Sequence, residues 1–223
     1  MSLREIKKRL PKDVEEILRW ERRQARAGAK MFAEACRSGD VGLFHKAHQA
    51  FCDLPDGWKL ALREVARLKC VDKKIQNEFQ LLWFDSNLGL KCGDKNSLLD
   101  ALRVLFPRYR GPTVRLFRGA SAREGRARKL YGASWSTKID EADWFARQYQ
   151  SAPGGSVVLE TNAPQKAIIF APGRAGPFWL NEDTTRRYDE DEYLVDGRRL
   201  RRVIVVRRYP EISLEVWRKR DAR

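Results

Sequence analysis

Gly111-Pro112-Thr113-Val114-Arg115-Leu116-Phe117-Arg118-Gly119 is where the chain changes character. Before it, apolar residues recur at helical spacing. After it, short runs of β-branched and aromatic residues alternate with turns. Gly111-Pro112 punctuates the change, and Val114–Phe117 reads as the first strand. Working downstream, Ala133–Ser136, Ser156–Thr161, Lys166–Phe170, Glu192–Val195 and Leu200–Tyr209 read as further strands. Ser213–Trp217 is a candidate closing strand. Glu141–Tyr149 reads as a helix with Ala142, Phe145 and Ala146 facing in.

Upstream the pattern is helical. Val14, Ile17, Leu18, Ala25, Ala29, Phe32, Ala33 and Cys36 lay an apolar stripe along a highly basic helix. Ser38-Gly39-Asp40 stops it and caps the next helix, Val41 to Cys52. Pro55-Asp56-Gly57 is a turn. Trp58 to Leu68, Ile75 to Trp83 and Leu98 to Leu105 mark three more helices, with Pro107 beyond the last. Helices followed by a mainly antiparallel sheet make the class α+β. The boundary is expected near residue 72, with a basic helical extension over 1–72 and a second domain over 73–223 in which the fourth and fifth helices pack on the sheet.

A chain of 223 residues, 43% of them hydrophobic, has enough apolar material for a real core, so disorder is a poor reading. Net charge +15 predicts attraction to polyanions: RNA, DNA, an anionic surface or an acidic protein. Cys36, Cys52, Cys70 and Cys92 show no C-x-x-C pairing, which predicts reduced, mostly buried thiols in a cytoplasmic protein. The charged start, Ser2 to Lys12, predicts no secretory signal, and no segment reads as a membrane span. His45 and His48, three apart, supply only two ligands, so no metal site is expected.

Three segments of the second half carry chemistry. Arg118 ends the apolar run Leu116-Phe117, and a guanidinium there is a forked donor suited to a diphosphate. Gly119 allows close backbone approach to a ligand. In Ser134-Trp135-Ser136-Thr137, strand alternation turns both serines to one side and Trp135 into a core, with Trp144-Phe145-Ala146 of the following helix anchoring the strand. In Asp189-Glu190-Asp191-Glu192, an extended chain would put Glu190 and Glu192 on one face, where two carboxylates can divide roles. Asp189 and Asp191 would face the other way and serve solvation. The same acidic run also balances Arg186-Arg187 and Arg198-Arg199.

Taken together and in this order, the segments resemble the Arg-Ser-Glu class of NAD-dependent mono-ADP-ribosyltransferases, over roughly residues 110–210. The resemblance implies a split antiparallel β-sheet sandwich with NAD, as substrate, bound in the cleft. It implies that Arg118 holds the NAD phosphates and nicotinamide-side ribose, and that Gly119 offers backbone bonds to the carboxamide. Ser134 would orient the catalytic glutamate, with Ser136 matching the last serine of the family's Ser-Thr-Ser motif. Trp135 replaces the middle threonine. Glu192 matches the catalytic glutamate and Glu190 the upstream residue of the loop that receives the acceptor.

Pro177-Phe178-Trp179-Leu180 falls where the family's acceptor-recognition loop would sit. Phe178 and Trp179 suit stacking on a base, and Arg186 and Arg187 suit phosphates. With the basic N-terminal helices this favours a nucleic-acid acceptor, RNA above duplex DNA. Glu-x-Glu supports an arginine-directed protein modifier as the alternative, the charge then recruiting an acidic partner such as an antitoxin or immunity protein. An NAD hydrolase and a non-catalytic nucleic-acid-binding module remain open. A compact basic transferase of this kind fits a bacterial or phage toxin or effector.

Overall fold

The computed structural model describes residues 12–85, 92–126, 131–172 and 191–221. The chain divides into two compact units, Met1–Phe106 and Pro107–Arg223. The division falls later than the boundary expected near residue 72, so the helices over 73–85 and 95–105 group with the first unit.

That unit is built from α1 (Lys12–Ser38), α2 (Val41–Phe51), α3 (Gly57–Val65), α4 (Lys73–Asp85) and α5 (Lys95–Leu105). Asp40 caps α2 by accepting from the Leu43 N–H at 2.8 Å. Phe32, Phe44, Phe51 and Trp58 are buried together, Phe32 and Phe44 with ring centroids 4.8 Å apart and Phe51 and Trp58 edge to face at 5.0 Å. Asp94 caps α5 through Ser97 and takes two hydrogen bonds from Arg63, at 2.7 and 3.1 Å. Those bonds hold its carboxyl at about 2, well below the ordinary value. Cys36 and Cys92 are buried, Cys52 is half-buried and Cys70 exposed, all as free thiols. Burial pushes the Cys36 thiol up to about 12 against the lowering effect of Arg37.

The second unit contains β1 (Val114–Ser121), the short α6 (Ala122–Arg126), β2 (Ser134–Ser136), α7 (Ile139–Gln148), β3 (Ser156–Ala163), β4 (Ile168–Phe170), β5 (Glu192–Val195), β6 (Ile204–Tyr209) and α8 (Leu214–Asp221). The strands form one six-stranded sheet in the order β4-β5-β2-β1-β3-β6, and every pairing is antiparallel. β1 and β3 pair continuously from Val114↔Ala163 to Ser121↔Ser156. By contrast, β1 and β2 meet at the single register pair Phe117↔Ser136. The sheet is therefore pinched into two halves at the β1–β2 seam.

Alternation assigns the faces. Leu116, Ala120, Trp135, Val157, Leu159 and Val195 share one apolar cluster. On the opposite face α7 lays Ala142 and Ala146 against Phe117 and Val158. Two expectations are corrected by this packing. Trp144 is 55% exposed and anchors nothing; the residue that α7 buries at that turn is Asp143. Residues 213–217 do not close the sheet. Ile212-Ser213-Leu214-Glu215-Val216 alternates like a strand, but the Ser213 hydroxyl accepts from the Val216 N–H at 3.3 Å and caps α8 instead.

Asp143 ties α7 to β6. It accepts from Arg147 at 3.1 Å, from Arg207 at 2.9 Å and from the Tyr209 hydroxyl. Burial alone would raise its carboxyl, but the hydrogen bonds from Tyr209, Arg207 and Arg147 outweigh it and leave the group below its ordinary value. A depressed carboxylate stabilises the fold above its unfolded value, and this is lost as pH falls through the folded one. Asp143→Asn should therefore cost about 2 kcal/mol at neutral pH in denaturant unfolding. The gap to wild type should shrink below about pH 4. A gap that stays constant into acid would show that the charge is not what Asp143 contributes.

Candidate active site

The order β5-β2-β1 places the strands bearing Glu192, the serines and Arg118 side by side. Residues far apart in sequence become neighbours because β2 pairs antiparallel with β1 on one edge and with β5 on the other. Glu192 stands opposite Ser136, and Ser136 stands opposite Phe117, in one row across the seam. Arg118 is one residue further along β1. Two strand spacings separate it from Glu192, about 10 Å between backbones.

Arg118 is largely enclosed, its side chain 15% exposed. Past the pair Phe117↔Ser136 no further β1–β2 register pair follows, and the guanidinium bridges the seam. Its Nη1 donates to the Ser134 carbonyl at 2.7 Å, and its Nε donates to Glu124 Oε1 at 3.0 Å. Glu124 Oε1 also accepts from the Gly132 N–H. Gly132 is required by this arrangement, since a Cβ there would stand 2.0 Å from Arg118 Nη2. No pattern in the sequence marks Glu124 or Gly132. A carboxylate six residues past an arginine has no periodic relation to it.

Gly132→Ala should force the guanidinium off both partners and leave a mostly enclosed charge poorly paired. The expected loss is about 2 to 3 kcal/mol, read by denaturant unfolding. A loss under about 0.5 kcal/mol, the ordinary surface value, would show that Arg118 is not fixed there.

The two serines differ. Ser136 is buried, and its Oγ accepts from the Lys138 N–H at 3.0 Å at the entrance to α7, a structural use of the hydroxyl. Ser134 is half-buried, and its hydroxyl has no hydrogen bond among the described residues. Trp135 is 2% exposed and donates its indole N–H to the Gly132 carbonyl at 3.1 Å. Register sets Glu192 directly against Ser136, with Ser134 opposite Leu194 on the same face. By the same register, Arg118 lies on the Trp135 face, so its side chain and the Ser134–Ser136–Glu192 row leave the sheet on opposite sides. The guanidinium regains the seam only by bonding the β2 backbone.

Gly119 also meets a packing requirement apart from the ligand approach expected of it. A Cβ there would stand 2.2 Å from the Ala142 carbonyl oxygen and 2.3 Å from the Ala146 nitrogen, so it is the closeness of α7 that requires glycine. Asp191 is more than the solvating residue expected: it has φ 51 and accepts from the Thr137 hydroxyl. It fastens the start of β5 to the end of β2. β5 begins at Glu192, and Asp191 before it is left-handed. Glu190 itself, with Phe178, Trp179, Arg186 and Arg187, lies outside the described residues. Arg198 and Arg199 stand against the fully buried Asp196, with Nε–O distances of 2.9 and 3.4 Å.

Among the described residues no group of His, Cys, Asp and Glu is arranged to hold a metal ion, and no helix is long and apolar enough to cross a membrane. His45 is exposed, its Nε2 3.0 Å from Glu78 Oε2. Comparison of the chain with protein-family models, with curated proteins and with solved structures finds no match.

Proposed function

We infer that the chain is an NAD-dependent mono-ADP-ribosyltransferase that releases nicotinamide and passes ADP-ribose to a macromolecular acceptor. The observation that carries this reading is the strand order. Arg118, Ser134 with Ser136, and Glu192 come from distant parts of the sequence and stand on three adjacent strands. The pinched β1–β2 seam supports the split sheet that the resemblance implies.

The chemistry asks for a carboxylate beside the ribosyl carbon. As the C1′–N bond to nicotinamide breaks, the leaving group takes the electron pair and positive charge develops on the sugar. A fixed Glu192 stabilises that charge where water is excluded. The free Ser134 hydroxyl, on the Glu192 face, is placed to orient substrate or carboxylate. Arg118 would meet the diphosphate through the donors it does not spend on Ser134 and Glu124. The acceptor's nucleophile then bonds C1′, and its proton passes to a base, the role carried by Glu190 in the resemblance.

Two observations favour a second reading, a non-catalytic binding module: the Arg118 side chain leaves the sheet on the side opposite Ser134, Ser136 and Glu192, and its charge already has a partner. Arg118 is paired with Glu124, so its charge is met without a ligand. The two readings are separated by following labelled NAD into RNA, DNA and cell protein offered separately to the full chain. Label entering one polymer supports the transferase and names its acceptor. Label released as free ADP-ribose supports the hydrolase. Bound, intact NAD supports the module.

A further inference from the structure

The exposed side of α1 carries a cationic stripe that the proposed chemistry does not use. Arg19, Arg23, Arg26, Lys30 and Arg37 follow one another at spacings of four, three, four and seven residues. At 100° per residue these all fall on one face. The stripe runs roughly 27 Å along the helix at 1.5 Å per residue. All of them are exposed. Arg19 and Arg37 have weak, solvated partners in Glu15 and Glu34 of the same helix. Arg23, Arg26 and Lys30 make no ion pair or hydrogen bond among the described residues.

An indole lies beside this stripe. Trp20 is 51% exposed, and Arg23, one turn on, is its neighbour. The apolar face of α1 does not explain it, because Ala25, Ala29, Phe32, Ala33 and Cys36 are buried on the other side of the helix. A large aromatic left in water next to a row of unpaired cations is the combination that binds single strands: cations track phosphates and the ring receives a base.

We propose that this face of α1 is a docking surface for single-stranded nucleic acid. A membrane helix of comparable charge would expose a broad apolar face, whereas the apolar face of α1 from Ala25 to Cys36 is inside the unit and only Ile17 joins Trp20 in solvent. An acidic protein would answer the charge but offers no stacked base for Trp20. The surface deepens the transferase reading by naming the class of acceptor it recruits, and it is tested without NAD, so either can fail alone.

The test is fluorescence anisotropy of a labelled single-stranded RNA of mixed sequence, titrated with the full chain at rising salt. Wild type should bind with a log–log salt slope of about −0.7 for each phosphate neutralised. Arg23→Glu/Arg26→Glu should weaken binding about 10-fold or more and flatten the slope by about 1 to 2. Arg23→Gln/Arg26→Gln should do the same to a lesser extent, which guards against misfolding of the reversed pair. Trp20→Ala should weaken binding about 5-fold or more with the slope unchanged. Binding unaltered in all three variants overturns the proposal. So does displacement of the RNA by phosphatidylserine vesicles, by polyglutamate or by duplex DNA at equal charge.

Discussion

Glu192→Gln should lower nicotinamide release from NAD by on the order of 10²–10³ or more while leaving the fold intact. Gln has nearly the same shape, and residue 192 opens a strand whose buried anchors are Leu194 and Val195, so the core is unchanged. On the proposed mechanism, what disappears is the negative charge beside the sugar as nicotinamide departs. Because that charge matters in the transition state more than in the ground state, kcat should fall with little change in KM. The comparison is Asp191→Asn, one residue earlier. The Asp191 carboxylate is engaged by the Thr137 hydroxyl, where it fastens β5 to β2. Its loss should lower stability more than the chemical step. Equal activity losses in the two variants would contradict a chemical role specific to Glu192.

Gly119→Ala should be among the most destabilising single-methyl additions in the second unit, by about 3 kcal/mol. The new Cβ would meet the Ala142 carbonyl oxygen at 2.2 Å and the Ala146 nitrogen at 2.3 Å. Both are backbone atoms of α7, so no side chain can swing away to make room. Relief comes only if the helix moves off the sheet, opening the packing of Ala142 and Ala146 on Phe117 and Val158. Ser136, whose hydroxyl holds the entrance to α7, would shift with it, and Glu192 is its cross-strand neighbour. Activity should therefore fall along with the denaturant midpoint. A cost under about 1 kcal/mol would mean that α7 is not held against β1 as tightly as these distances require.

The elements are legible where one periodicity rules alone. Apolar spacing locates α1 to α5, and runs of β-branched and aromatic residues locate β1, β3 and β5. Where two signals compete, the local pattern misleads. Residues 213–217 alternate like a strand, yet a serine cap and good helix formers make α8. Trp144 looks like an anchor because it is large and apolar, but α7 turns it outward and buries Asp143, whose partners Arg207 and Tyr209 lie on another strand.

The candidate site shows the same limit. Arg118, Ser134 and Glu192 stand out by residue type and order. Which of them face each other depends on register, and register is not written in any one segment. Glu124, Gly132 and Asp191 carry no local signal because each matters only through a residue brought near by the fold. The domain boundary depends equally on contacts: the boundary expected near residue 72 rests on the fourth and fifth helices packing on the sheet, while the compact units part after Phe106.

The central claim is that this sheet positions a glutamate to break the nicotinamide bond of NAD. The most direct measurement is nicotinamide release by the purified, folded full chain, with RNA, DNA and cell protein each supplied in turn as acceptor. Release that depends on the protein and collapses in Glu192→Gln is the predicted result. No release above the protein-free rate under any of these conditions would contradict the claim.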